Sequence, residues 1–141
     1  MNTVKLKLTK QDGSSYGYVG LVNDRFIGGV SEDKAVIFEQ EDYKNGNSEA
    51  YYYKVKGTHY YMDQSSRDGH IFKDKPFLSV HQSSIYAWKY TDKELHAFIA
   101  NKDSRQVMGL PRNSRQDHTL PENSLFSNFD GFPLNVDLVQ V

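Results

Sequence analysis

Five side chains that can carry chemistry lie in the middle of the sequence, next to turn-forming residues. They are Asp63, Asp68, His70, His81 and Gln82. Carboxylates, amides and imidazoles serve as metal ligands, as acid or base groups, or as hydrogen-bonding groups for a polar ligand. The spacing of these residues, and of the elements that hold them, decides among the three uses.

Metal binding is not indicated by the histidines. The chain has five of them, and no two stand three or four residues apart. His59, His70 and His81 are instead spaced by eleven residues. Metal sites that are recognisable in a sequence have more closely spaced ligands, so we predict no metal and no other cofactor.

Catalytic motifs are also missing from the sequence. There is no cysteine, which excludes thiol catalysis and a disulfide scaffold. No Gly-X-Ser-X-Gly elbow and no phosphate-binding glycine loop occurs. The 18 acidic residues make accidental carboxylate pairs of the glycosidase type easy to find. We therefore expect a protein that is not an enzyme.

Charge and hydropathy restrict the partners. The 17 basic and 18 acidic residues are interspersed and give a net charge of −1, so no basic surface for nucleic acid is indicated. No segment is long and apolar enough to cross a bilayer, and the first residues alternate instead of forming a signal peptide. We expect a soluble protein, cytoplasmic or secreted without a signal peptide, with homodimer formation left open.

The secondary-structure pattern is β throughout. Val4, Leu6 and Leu8 alternate with polar residues, and β-rich runs such as SYGYVGLV, KAVIFEQ, FLSVH and LNVDLVQV follow between turn-forming segments. These runs predict about twelve short strands. The pattern favours a single all-β domain over residues 1–141.

The stretch EAYYYKVKGTHYYMDQ at 49–64 is dense in tyrosine. Alternate side chains of a strand share a face, so Tyr51 and Tyr53 point away from Tyr52 and Lys54. The stretch YAWKY places Trp88 at a matching position one repeat later. We interpret these rings as core and not as a ligand platform.

Internal repetition accompanies the strands. Tyr16, Tyr51 and Tyr86 stand 35 residues apart, each at the start of an aromatic-rich strand. The segment RFIGGVSEDKAVIF at 25–38 also matches HYYMDQSSRDGHIF at 59–72 at a constant offset of 34. Three copies of one β-unit predict pseudo-threefold symmetry.

In strand number, spacing and repeat, the chain resembles the β-trefoil superfamily, in which three four-stranded units form a barrel capped by hairpins. The Gln-X-Trp motif of ricin-type trefoil lectins is absent, since the lone tryptophan is Trp88. A two-sheet β-sandwich and another small closed barrel are the alternatives. The resemblance implies a binding protein, with lectins, protease inhibitors, cytokine-like ligands and actin-bundling proteins as candidates.

A lectin is our leading prediction, with glycans or glycoproteins as partners. Sugar recognition needs planar hydrogen-bonding groups and an aromatic face. The resemblance places sugar sites beside hairpins, which points to Asp63, Asp68, His70, His81 and Gln82, with Tyr61 or Phe72 as the aromatic. Ordinary solvated turns are the competing interpretation of each of these residues.

The segment 111–133 is long, polar and irregular, and loops of this kind, here 111–124, are often functional. In a lectin it supplies Asn113, Asp117 and His118 as further ligand-binding residues. In the alternative function, a cysteine-free protease inhibitor or another protein-binding trefoil, Arg112 or Arg115 anchors the loop in an enzyme cleft. In a third interpretation the region is a connection whose phenylalanines fill the barrel end: Phe126, Phe129 and Phe132.

Overall fold

The computed structural model describes residues 2–43, 49–78, 81–111, 120–128 and 131–141. These residues form thirteen strands and two single-turn 3₁₀ helices, Glu32–Lys34 and Gln82–Ser84. The strands are β1 (Thr3–Thr9), β2 (Ser15–Val22), β3 (Arg25–Val30), β4 (Phe38–Asp42), β5 (Ala50–Val55), β6 (Tyr61–Gln64), β7 (Ile71–Asp74), β8 (Ala87–Thr91), β9 (Glu94–Ile99), β10 (Lys102–Leu110), β11 (Phe126–Asn128), β12 (Phe132–Pro133) and β13 (Asn135–Gln140). Neither helix is long or apolar enough to span a membrane, and the described residues contain no other helix.

Hydrophobic alternation produces the strands where it is strongest. In β1 the side chains of Val4, Leu6 and Leu8 are fully buried, whereas Lys5 and Lys7 between them keep contact with solvent. Because successive side chains of a strand point to opposite faces, this pattern fixes which face of β1 joins the core.

Seven strands close into an antiparallel barrel. Around the ring, β1 pairs with β2, β2 with β3, β3 with β7, β7 with β6, β6 with β5, β5 with β4, and β4 with β1. The all-β class is thereby confirmed, and the ring fits the predicted alternative of another small closed barrel. The β-trefoil with pseudo-threefold repeats stays a prediction.

The remaining strands extend from this ring. β8 pairs with β5 and β9, and β10 pairs with β9, β11 and β12. β13 pairs with β1 along six residue pairs. It also reaches the turn before β9, since the Val136 amide donates to the Lys93 carbonyl at 2.6 Å.

Three strand segments from distant parts of the chain meet at one junction. The amide of Ile71 donates to the carbonyl of Leu125, and the amide of Leu125 donates to the carbonyl of Phe26, both at 3.0 Å. All three side chains are fully buried. The chain therefore brings β3, β7 and the residues before β11 together around one apolar contact.

The prediction that Trp88 lies in the core is confirmed, because its side chain has no solvent exposure. Its indole Nε1 donates to the Met62 carbonyl at 3.0 Å. Tyr53 is fully buried as well, and its hydroxyl accepts from Gln40 Nε2 at 3.1 Å. Buried aromatic side chains with a polar atom need such partners.

Tyr52, which was predicted to share a face with Lys54, is part of the core like Tyr53. Its side chain is buried in a second cluster with Tyr61, Ile85 and Phe98. The ring of Tyr43 also packs at 5.7 Å from that of Tyr52. The reason is that Ile85 and Phe98 pack on this face of β5 and cover it.

The two segments that match at an offset of 34 occupy different places in the sheet. In 59–72, β6 and β7 pair with each other as a hairpin. In 25–38, β3 pairs with β2 and β7, whereas Phe38 begins β4, which pairs with β1 and β5. The offset therefore relates segments that have different strand partners.

Candidate functional site

The structure describes five of the eight residues predicted to bind a ligand. Asp63, Asp68 and His70 belong to the β6–β7 hairpin, and His81 and Gln82 follow β7. The other three lie outside the described residues, in 112–119: Asn113, Asp117 and His118. Their predicted role is untested, as is that of Arg112 and Arg115.

Asp68 and His70 form a local pair in the turn between β6 and β7. The Asp68 carboxylate accepts from the His70 amide at 3.1 Å and also contacts the imidazole Nδ1. Although burial alone acts in the opposite direction, these hydrogen bonds and the imidazole charge lower the pKa of Asp68. The His70 ring packs 5.4 Å from that of Phe72. The pair thus stabilises its own turn.

Asp63 is a buried carboxyl with 5% exposure. Its Oδ1 accepts from the amide of Gln64 at 2.8 Å and from the amide of Tyr86 at 2.9 Å. Burial raises the pKa of Asp63 to about 7, and a hydrogen bond with the Asp74 carboxyl acts in the same direction. Asp63 therefore connects β6 to the residue before β8.

Gln82 belongs to a hydrogen-bonded group that sequence analysis did not identify. Its Nε2 donates to Glu41 Oε1 at 2.5 Å and to the Tyr61 hydroxyl at 3.3 Å. The Tyr61 hydroxyl donates to the same Glu41 oxygen at 2.6 Å. Burial, followed by the hydrogen bond with Glu41, raises the pKa of Tyr61 to about 12. At neutral pH this group thus pairs one carboxylate with an amide and a phenol.

Phe77 supplies an exposed ring beside His81, the residue before Gln82. Its side chain is 64% exposed, and its ring centroid lies 5.9 Å from that of His81. The Phe77 amide donates to Ser84 Oγ at 2.9 Å, and the His81 amide donates to the Phe77 carbonyl at 3.1 Å. The 3₁₀ helix Gln82–Ser84 starts directly after His81. We call the four side chains of Phe77, His81, Gln82 and Glu41 the Phe77 surface.

The segment FLSVH was predicted as a strand, so Phe77 was not identified as a candidate binding residue. In the structure, Phe77 and His81 form an isolated bridge outside the named strands. Pro76 precedes Phe77, and Leu78 has a φ of 53°, a left-handed conformation that strands do not adopt. The expected aromatics are less accessible than Phe77, because Tyr61 is 7% exposed and Phe72 is half-buried.

His96 has both ring nitrogens occupied by carboxylates. Its Nδ1 lies 3.1 Å from Asp103 Oδ2, and its Nε2 lies 3.2 Å from Glu94 Oε1. Across the residues that the structure describes, no group of three or more His, Cys, Asp or Glu side chains is arranged to hold a metal ion.

No family model and no curated protein sequence matches the chain. Among solved structures, the chain is similar to a GlcNAcα1-4Gal releasing endo-β-galactosidase from Clostridium perfringens, with a TM-score of 0.62 and 16% identity. The alignment covers 100% of this chain and 33% of that one, so the chain spans about a third of the enzyme's length. At this identity the likeness shows the fold alone.

Proposed function

We propose that the protein is a non-catalytic carbohydrate-binding domain, a lectin, and that glycans or glycoproteins bind at the Phe77 surface. One observation carries the proposal: the exposed ring of Phe77 packs against His81, and the next residue, Gln82, donates to the Glu41 carboxylate. A pyranose presents C–H groups on one face and hydroxyls at its edge. An aromatic ring next to planar donors and acceptors matches both.

The hydrogen bonds of the Phe77 surface also favour binding. Gln82 and Tyr61 hold the Glu41 carboxylate in place before any ligand arrives. A preorganised polar group loses less conformational entropy on binding than a free one. Phe77, in turn, gains favourable burial when a sugar ring covers it.

The structural similarity gives independent support for a role in carbohydrate recognition. The protein that resembles this chain is by name an endo-β-galactosidase that releases GlcNAcα1-4Gal. The chain corresponds to about a third of it. A domain of that size within a carbohydrate-active protein is consistent with sugar binding.

A β-trefoil arrangement is part of the proposal. In support, β1, β4, β5, β8 and β9 follow one another as paired neighbours, and β13 pairs with β1 and contacts the turn before β9. The junction of Phe26, Ile71 and Leu125 supports a cap built from three hairpins. Six barrel strands and three hairpins are what the trefoil resemblance implies.

We propose that the chain has no hydrolase activity, because of the placement of Asp63 and Asp74, the carboxyl pair that a hydrolase would most readily use. Asp63 and Asp74 lie on the paired strands β6 and β7, and Asp74 helps to raise the pKa of Asp63. Asp63 is also buried and accepts two backbone amides. We therefore assign this pair a structural role.

A glycan array with the labelled full chain tests the function. We expect binding that free sugar competes, and we expect Phe77→Ala to weaken it about 10- to 30-fold, the loss typical of a central aromatic contact. Gln82→Ala should weaken it as well, because it removes an amide donor and releases Glu41. A titration against the best glycan measures both effects.

Val22→Ala is the matched control for Phe77→Ala. Val22 is also an exposed apolar residue, at 40%, and lies at the end of β2, so its variant should bind like the parent chain. A chain that binds no glycan but blocks a protease would contradict the lectin proposal and favour the inhibitor alternative. Binding that survives Phe77→Ala would contradict the assigned site.

A further inference from the structure

A groove of about 210 Å³ lies away from the Phe77 surface, between the first turn of the chain and its C-terminal strands. Its apolar lining comes from Leu110, Phe132, Pro133 and Leu134. Its polar lining comes from Lys10, Gln11 and Asp12. The volume corresponds to about seven water molecules at roughly 30 Å³ each.

Phe132 gives the groove an exposed aromatic ring. The expectation that Phe132 fills the barrel end is wrong, because its side chain is 53% exposed, whereas Phe126 is buried at 4%. Phe132 pairs with Leu110 across β10 and β12. Gly109 permits this approach, since a Cβ at that position would lie 2.2 Å from the Phe132 carbonyl oxygen.

The polar side of the groove is held by a tight turn. The Lys10 amide donates to the Ser14 carbonyl at 2.8 Å, and the Gly13 amide donates to the Lys10 carbonyl at 2.9 Å. Asp12 Oδ1 accepts from the Ser14 hydroxyl at 2.6 Å and from the Ser14 amide at 2.9 Å. These hydrogen bonds, the hydroxyl first, lower the pKa of Asp12 and keep it a carboxylate.

The aromatic ring of Tyr16 also helps to position the Lys10 side chain. Its ammonium lies 5.3 Å from the centroid of Tyr16, within the range of a cation–π contact. The groove is thus lined by Lys10, Gln11 and Asp12 beside its apolar residues. Its two charges, from Lys10 and Asp12, cancel.

We propose that this groove is a second binding site, and that its ligand is a single neutral pyranose ring. The proposal rests on the function proposed above. The Phe132 ring covers the C–H face of the sugar, and Asp12, Lys10 and Gln11 bind hydroxyls. Because the lining charges cancel, an acidic sugar gains no net electrostatic attraction over a neutral one.

The dimensions of the groove favour one ring over other occupants. Pockets for drug-sized ligands have volumes of roughly 300–1,000 Å³, so the part of a ligand that this groove of about 210 Å³ can hold is about one ring. A purely apolar molecule would cover Asp12 and Gln11 without giving them hydrogen-bond partners, which costs free energy. With the Phe77 surface, the chain then carries two sugar sites and can crosslink glycans.

The test is an amide-resolved NMR titration of the ¹⁵N-labelled full chain. The probes are N-acetylglucosamine and the methyl pyranosides of galactose, glucose and mannose, with glucuronic acid as the charged comparison. We expect at least one neutral probe to shift the amide signals of Gln11, Asp12, Phe132 and Leu134. Phe132→Ala should weaken these shifts at least tenfold and leave those of His81 and Gln82 unchanged.

Val141→Ala is the matched control for Phe132→Ala. Val141 is 59% exposed at the far end of β13, and its variant should keep every ligand-induced shift. Shifts at the groove signals that depend on Phe132 support the second site, whether or not His81 and Gln82 respond. Shifts confined to His81 and Gln82 would overturn the second site and leave the proposed function standing.

Two other results of the titration would contradict the proposed function or the assignment of a neutral ligand. If no neutral probe shifts either set of signals, both the groove site and the proposed function fail. If glucuronic acid shifts the groove signals at lower concentration than every neutral probe, the groove binds an acidic ligand and the assignment to a neutral ring is wrong.

Discussion

Replacing Trp88 with alanine is expected to lower the free energy of unfolding by about 3 to 5 kcal/mol, the usual cost of removing a large aromatic ring from a core. Trp88 has no solvent exposure and lies in the main hydrophobic cluster with Leu95, Met62 and Tyr53. A protein of this size is stable by about 5–15 kcal/mol. The substitution therefore removes a large part of the total.

Chemical denaturation followed by far-UV circular dichroism measures this effect, since Trp88 is the sole tryptophan and its fluorescence is lost in the variant. Phe132→Ala removes a ring that is 53% exposed and should change stability by no more than about 0.5 kcal/mol. A loss below about 1 kcal/mol in Trp88→Ala would contradict its place in the core.

The variant Trp88→Phe separates the contribution of the apolar ring to stability from the contribution of its hydrogen bond. The smaller ring keeps most of the apolar contact but leaves the Met62 carbonyl, which accepts from Nε1 at 3.0 Å, without this donor. An unsatisfied buried polar group costs about 1–3 kcal/mol. We expect an intermediate loss, between that of the parent chain and that of Trp88→Ala.

The stability of the protein is expected to fall as the pH rises from about 4 to about 7 because of Asp63. Burial raises the pKa of this carboxyl from 3.8 to about 7 in the folded chain. The folded state then holds the proton more tightly than the unfolded state does. The stabilisation is complete below about pH 3.8 and is lost as the pH passes the folded pKa, a total of about 4 kcal/mol at roughly 1.4 kcal/mol per pKa unit.

Asp63→Asn tests this prediction. Asparagine keeps an oxygen that accepts from the amides of Gln64 and Tyr86 but never becomes charged. Denaturation at pH 5 and pH 8 should therefore show a smaller difference for Asp63→Asn than for the parent chain. The variants share every other titrating group, so the comparison isolates Asp63.

Asp42→Asn is the control, because Asp42 is an exposed carboxylate on β4 and its variant should keep the parent's pH profile. Three carboxyls whose pKa is lowered, Asp12, Glu39 and Asp68, act in the opposite direction. Their contribution is lost as the pH falls below about 4, outside the tested range. Equal pH profiles for Asp63→Asn and the parent chain would contradict the buried carboxyl as the cause.

The Phe77 surface could be predicted only in part. His81 and Gln82 were identified because polar residues near turns are candidates for ligand binding. Glu41, the hydrogen-bond partner of Gln82, stands 41 positions away in the sequence. The pairing of β4 with β5 and the Tyr61 hydroxyl bring the two side chains together. No local pattern encodes such a contact.

Asp63 was predicted to bind a ligand from its position near a turn, but its side chain is buried in the structure. A carboxylate near the end of a short strand has the composition of a ligand-binding residue, but the side chain is buried because β7 and the start of β8 cover it. Burial of this kind follows from long-range packing. The same packing decides that Phe77 and Phe132 are exposed while Trp88 and Phe126 are not.

The sequence by itself determined most of the strands, the all-β class and the burial of the most regular apolar positions, because the two-residue alternation of a strand is a local property, as Val4, Leu6 and Leu8 illustrate. Only the tertiary structure decided which strands pair, which rings face solvent, and that Lys10 and Asp12 meet Phe132 at one groove. The reason is that these contacts join separate elements of the chain, more than a hundred positions apart in the case of the groove, and their geometry depends on the closure of the whole sheet.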